Sequence, residues 1–129
     1  MDKLEYIPGD LVKFATNTYT IVNFEENFLY NKICYSLIST NRTRTAFVAD
    51  RDILPIPLTA EILEKNGWKL SHGFYWSPNE EGAGIGLSSQ TGYVWKSYLG
   101  RQPLRSNINS VSDLQHLLFG LGLNHKMEV

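Results

Sequence analysis

Apolar and polar residues alternate with a period of two along most of the chain, and the period lengthens to that of a helix in two places. Pro8-Gly9-Asp10 predicts a turn into a strand at Leu11-Val12-Lys13-Phe14 that ends at Asn17. A second strand is expected over Tyr19–Phe24, where β-branched residues dominate, with Glu25-Glu26-Asn27 as the polar connection after it. Ile33–Ser39 and Thr45–Ala49 read as the next two strands, joined by a hairpin tip at residues 40–44, and Asp50-Arg51-Asp52 leads to Ile53-Leu54. Short strands at this spacing predict an SH3-like curled antiparallel sheet or small barrel over residues 1–54.

The first helical stretch follows Pro55 and Pro57, which hold the chain extended. Thr59 is placed to cap a helix over residues 59–66, with Glu61 in the first turn and Leu58 able to staple to Leu63. Asn66-Gly67 stops it, and Trp68 can fold back on Leu63. An antiparallel β-meander is expected over residues 73–108. Its strands are Gly73–Ser77, Gly84–Ser88, Tyr93–Leu99 and Leu104–Ile108, with a turn at residues 78–82. The glycines at 84 and 86 suggest a bulge or a close approach. A second helix over residues 111–120 is capped by Ser110 and Asp113, and Val111, Leu114, Leu117, Leu118 and Leu121 share one face. Residues 126–129 read as a last edge strand. The fold class is therefore α+β: a first β-rich subdomain, a linker helix, and a second subdomain over residues 55–129 whose meander is covered by the C-terminal helix.

The run Pro55-Ile56-Pro57-Leu58-Thr59, then Ile62-Leu63-Glu64-Lys65-Asn66-Gly67-Trp68, then aromatic strands and the pattern Ile108, Val111, Leu114-Gln115-His116-Leu117, resembles a group of small uncharacterised proteins encoded by bacterial prophages and mobile elements. The resemblance implies a small cytosolic accessory protein and carries over no catalytic residue.

Charge narrows the function classes. The formal net charge is -1, with six basic and seven acidic residues before Pro57 and six of each after it. A whole-domain basic footprint of the kind that drives duplex binding is absent. Met1-Asp2-Lys3-Leu4-Glu5 lacks the plan of a signal peptide, and no apolar run reaches spanning length, so a cytoplasmic protein without a membrane partner is expected. Cys34, the single cysteine, lies in a strand-like run and is expected as a buried small hydrophobe.

No catalytic, cofactor or metal motif has the context it needs. His72, His116 and His125 show no ligand spacing, and Gly82-Ala83-Gly84-Ile85-Gly86 lacks both the Lys-Ser/Thr ending of a phosphate loop and a following helix. Glu25-Glu26 and Asp50-Arg51-Asp52 read as solvated strand ends. What stands out is a stretch from Gly82 to Ser112 without a single acidic residue, in which Lys96, Arg101 and Arg105 interleave with Tyr93, Trp95 and Tyr98. Alternation puts Tyr93, Trp95 and Ser97 on one face of a strand and Val94, Lys96 and Tyr98 on the other, so one set belongs to the core. These six aromatic and basic residues form the candidate binding surface. The sequence thus points to a non-enzymatic protein-interaction module without cofactor or metal, with nucleic-acid binding through residues 93–105 as the alternative.

Overall fold

A computed structural model describes residues 6–27, 32–78 and 84–129, which divide between two compact units, Met1–Ile56 and Pro57–Val129. Each unit is built on one antiparallel five-stranded sheet, and the second adds two α-helices.

In the first unit, β1 (Leu11–Phe14), β2 (Asn17–Asn27), β3 (Lys32–Ser39), β4 (Thr45–Ala49) and β5 (Leu54–Pro55) lie in the order β4-β3-β2-β1-β5. The entry is a tight turn: Pro8 supplies the fixed φ, Gly9 takes φ +96°, and Asp10 N donates to Ile7 O at 3.1 Å. The buried Asp10 carboxylate accepts from Ile7 N at 2.9 Å, and Asp10 O accepts from Ile21 N, which ties the turn to β2. Alternation then sends Val12, Tyr19, Ile21, Ile33, Tyr35 and Leu37 to one face, where Tyr6 and Ile53 complete a core and the Tyr6 ring meets Tyr35 edge-on at 5.6 Å.

The sheet is open. Strands β4 and β5 are its two edges and no ladder joins them, so the small barrel among the sequence expectations does not close. Asn17 opens β2 instead of ending β1, and Glu25 and Glu26, expected as a connection, pair with Cys34 and Ile33. β1 is only four residues long, so this end of β2 has β3 alone beside it, and residues 22–26 are exposed on both faces, where carboxylates cost little. A register shift between Ile21 and Asn23 turns Val22 out to solvent at 52% exposure. Cys34 is half-buried, on the face opposite Tyr35, because its strand neighbours are Glu25 and Ala49.

In the second unit α1 (Ala60–Lys65) is held at both ends by its own sequence. Thr59 Oγ1 accepts from Ile62 N, Gly67 takes φ +86°, and Trp68 N returns to Leu63 O at 3.0 Å. The sheet runs β6 (Lys69–Ser71), β7 (Phe74–Trp76), β8 (Ile85–Ser88), β9 (Lys96–Leu99) and β10 (Gln102–Pro103), paired in the order β10-β9-β8-β7-β6. Strand β6 precedes the start expected for the meander. His72 at φ +53° and Gly73 at φ +83° make the two-residue hairpin turn that brings it against β7. Residues 104–107 do not extend β10; Ile108 alone bridges Trp95, and Ser97 Oγ bonds both the amide and the carbonyl of Arg105 at 2.8 Å. The turn expected at residues 78–82 lies, after Pro78, outside the described residues, as does the start of the Gly82–Gly86 run.

The closing helix α2 (Val111–Gly120) is capped as expected, with Ser110 Oγ accepting from Asp113 N and Asp113 Oδ2 accepting from Asn109 N, both at 3.1 Å. Its buried face is turned from the expected one: Val111, Ser112, Leu114, Gln115 and Leu118 are buried, whereas Leu117 is half-buried and Leu121 is 40% exposed. The cause is the C-terminal segment, whose His125 carbonyl accepts from Gln115 Nε2 at 3.0 Å. That segment is not a strand. The Asn66 side-chain amide exchanges two hydrogen bonds with the Glu128 backbone, at 2.7 and 2.8 Å, in place of a ladder.

Leu58, Leu63, Ile85, Leu87, Ile108 and Leu114 are fully buried, each contributing about 1.5–3 kcal/mol on transfer from water. Leu114→Ala is expected to cost about 2–5 kcal/mol, and Leu117→Ala distinctly less. Urea denaturation of the two variants checks this, and equal losses would contradict the orientation of α2.

Candidate functional site

The sheet of the second unit has two unlike faces. Alternation carries Ile85, Leu87, Trp95 and Ser97 to the buried side, where the Trp95 indole N–H donates to Leu58 O at 2.9 Å and its ring meets Tyr75 edge-on at 5.9 Å. Tyr75 also reaches α1, donating its hydroxyl to Glu64 Oε1 at 2.9 Å; this bond to a carboxylate, with some desolvation, raises the phenol's pKa above its ordinary value.

The other face is open to solvent and holds the opposite set. Across it, Lys69 pairs with Trp76, Trp76 with Gly86, Gly86 with Tyr98, and Tyr98 with Pro103, while Ser71 pairs with Phe74 and Ser88 with Lys96. Phe74, Trp76 and Tyr98 are half-buried and make one cluster: Phe74 stands 5.6 Å from Trp76 and 5.5 Å from Tyr98, perpendicular to the latter. Gly86 makes the cluster possible. A Cβ there would lie 2.9–3.2 Å from three carbons of the Trp76 benzo ring, so the indole lies on bare backbone, and its N–H is held by Ser71 O at 3.2 Å. Lys69 and Lys96 are exposed, and no residue of this face among those described is acidic.

At one end of the face is a concavity of about 250 Å³ lined by Ser88, Gln90, Thr91, Lys96 and Tyr98 among others. Its wall is shaped by the β8–β9 connection. Ser89 Oγ donates to Val94 O at 2.6 Å and accepts from Gly92 N, and Thr91 Oγ1 accepts from the amides of Tyr93 and Val94. No carboxylate lines it.

Of the six residues singled out by sequence, Lys96 and Tyr98 lie on the open face. Trp95 is 3% exposed and part of the core. Tyr93 is 70% exposed but sits in the bends before β9, so it does not share a strand with the others. Arg101 is in the turn joining β9 to β10, and Arg105 pairs loosely with Asp113, 3.8 Å away. Phe74, Trp76 and Lys69 were not singled out; the glycines at 84 and 86 hinted only at a close approach, which the Trp76 ring makes.

The remaining chemistry-bearing residues stay apart. No group of three or more His, Cys, Asp or Glu side chains able to hold a metal ion occurs among the described residues. His72 bonds its neighbour Ser71, and the His125 ring stacks edge-on with Phe119 at 5.1 Å. No helix among the described residues is long and apolar enough to cross a membrane. Comparisons with protein-family models, with characterised proteins and with solved structures find no match for this chain.

Gly86→Ala tests the construction of the face. The added methyl must push the Trp76 ring off the sheet, an outward movement that leaves the buried side intact. We expect a folded protein whose indole side-chain resonance for Trp76 shifts in NMR spectra while that of Trp95 does not; an unmoved Trp76 signal would contradict the packing.

Proposed function

We propose that this chain is a non-catalytic accessory module of a bacterial prophage or mobile element, acting in the cytosol by holding a macromolecular partner on the open face of its second sheet. The observation that carries the reading is the cluster of Phe74, Trp76 and Tyr98, half-exposed on a sheet face between Lys69 and Lys96. Aromatic rings left partly in water on a regular sheet are the residue types that dominate binding hot spots, and here all three rings are partly exposed. The origin in a mobile element rests on the sequence resemblance alone, and the SH3-like character of the first sheet on its Pro8-Gly9-Asp10-Leu11-Val12 opening.

Replacing Tyr98 with a photo-crosslinking phenylalanine derivative in the native host tests where the partner sits. Irradiation is expected to yield a covalent product from position 98 and little from the same probe at Leu121, at the end of α2. Equal yields from both positions, or none from position 98, would remove the face from consideration.

A further inference from the structure

We infer that the partner held on this face is a single-stranded nucleic acid, its bases stacked on the aromatic cluster and a backbone phosphate in the concavity beside Lys96. The inference rests on the binding-module reading and names the chemistry of its partner.

Three observations converge on that chemistry. The first is the rings. Trp76 lies over Gly86 with its N–H already satisfied by Ser71 O, and Phe74 and Tyr98 stand within stacking reach of one another. Every base has a π-face, so rings of this kind accept a base without reading its edge. The second is charge. Lys69 and Lys96 are the charged residues of the open face among those described, both cationic, and they stand in different rows of the sheet. A partner that is apolar alone would leave two ammonium groups without counter-charge; a polyanion whose charges flank flat rings satisfies both.

The third observation is the concavity at the end of the cluster. Its polar lining is Lys96 with hydroxyls and an amide from Ser88, Ser89, Gln90, Thr91 and Tyr98, of which the Ser89 hydroxyl is already donated to Val94 O. Thr91 Oγ1 already accepts from two backbone amides, which leaves its hydroxyl proton to be donated. A pocket of donors around one cation, without a carboxylate, suits an anion, and Tyr98 belongs to both pocket and cluster. Phosphate and base would therefore be held side by side, as they occur along a strand. A duplex does not fit the same surface, because its base faces are stacked inside it. The overall charge of -1 does not oppose this, since none of the described residues of the face is acidic.

Fluorescence anisotropy of the full chain with labelled sixteen-nucleotide oligo(dT), oligo(rU) and a duplex of equal length tests the assignment. We expect the single strands to bind and the duplex to bind at least tenfold more weakly. Two phosphate contacts give a slope of log affinity against log salt of about -1.4. Trp76→Ala is expected to weaken binding about tenfold, and Lys96→Ala, an exposed change that leaves the fold alone, to bring the slope down by about 0.7, with Lys96→Arg restoring it. The oligo(dT) and oligo(rU) arms show whether DNA or RNA is preferred. Equal affinity for duplex, a slope near zero, or a Lys96→Ala variant identical to wild type would overturn the inference. If no single strand binds while position 98 still crosslinks to a protein, the nucleic-acid assignment falls and the binding-module reading stands.

Discussion

Everything distinctive about the second unit depends on the burial of Trp95. Its indole is the largest side chain of β9's approach, and it is buried where its one donor finds Leu58 O, just before α1, and its ring finds Tyr75. Burying so large an apolar surface with its N–H satisfied leaves no competing arrangement in which Trp95 faces water. Because a strand alternates, that single choice puts Ser97 inside and sends Lys96 and Tyr98 out. Cross-strand register then carries the same choice through β8 to β7, so Phe74 and Trp76 point outward beside them.

The inner side is closed in a way that tolerates no slip. Trp95 exchanges both backbone hydrogen bonds with Ile108, Ser97 grips Arg105, and Ser110 starts α2 directly afterwards. A one-residue shift would move Trp95 and Ser97 to solvent. On the outer side the constraint is the reverse: Gly86 removes a side chain where neighbouring strands have large ones, and Trp76 occupies the space. Rigid closure on one face is what allows an aromatic cluster to persist on the other without collapsing into the core.

Local grammar was legible in the sequence and tertiary choices were not. Both helices could be read to within a residue or two because Thr59, Ser110, Asp113 and Gly67 act on their immediate neighbours. The period-two runs gave most strands for the same reason. Glu25 and Glu26 misled because polarity marks exposure, and the far end of β2 is an exposed strand. Leu117 looked like core because helical spacing cannot anticipate the C-terminal segment, which draws Gln115 inward instead. Tyr93 looked like part of β9 because the Ser89 and Thr91 side-chain bonds that hold it in bends depend on folding back over several residues. For the site, the acid-free stretch contains β9, whose Lys96 and Tyr98 lie on the open face, but half that face comes from β6 and β7, and only the register could bring Lys69, Phe74 and Trp76 to it.

The central claim is that one face of this sheet is sealed and the other is the working surface. Titrating isotopically labelled protein with oligo(dT) and following its NMR resonances tests it residue by residue. The account predicts shifts concentrated at Lys69, Phe74, Trp76, Lys96 and Tyr98 and at the β8–β9 connection, with Trp95, Leu114 and the first unit's core unmoved. Shifts confined to other surfaces, with the aromatic cluster silent, would contradict it.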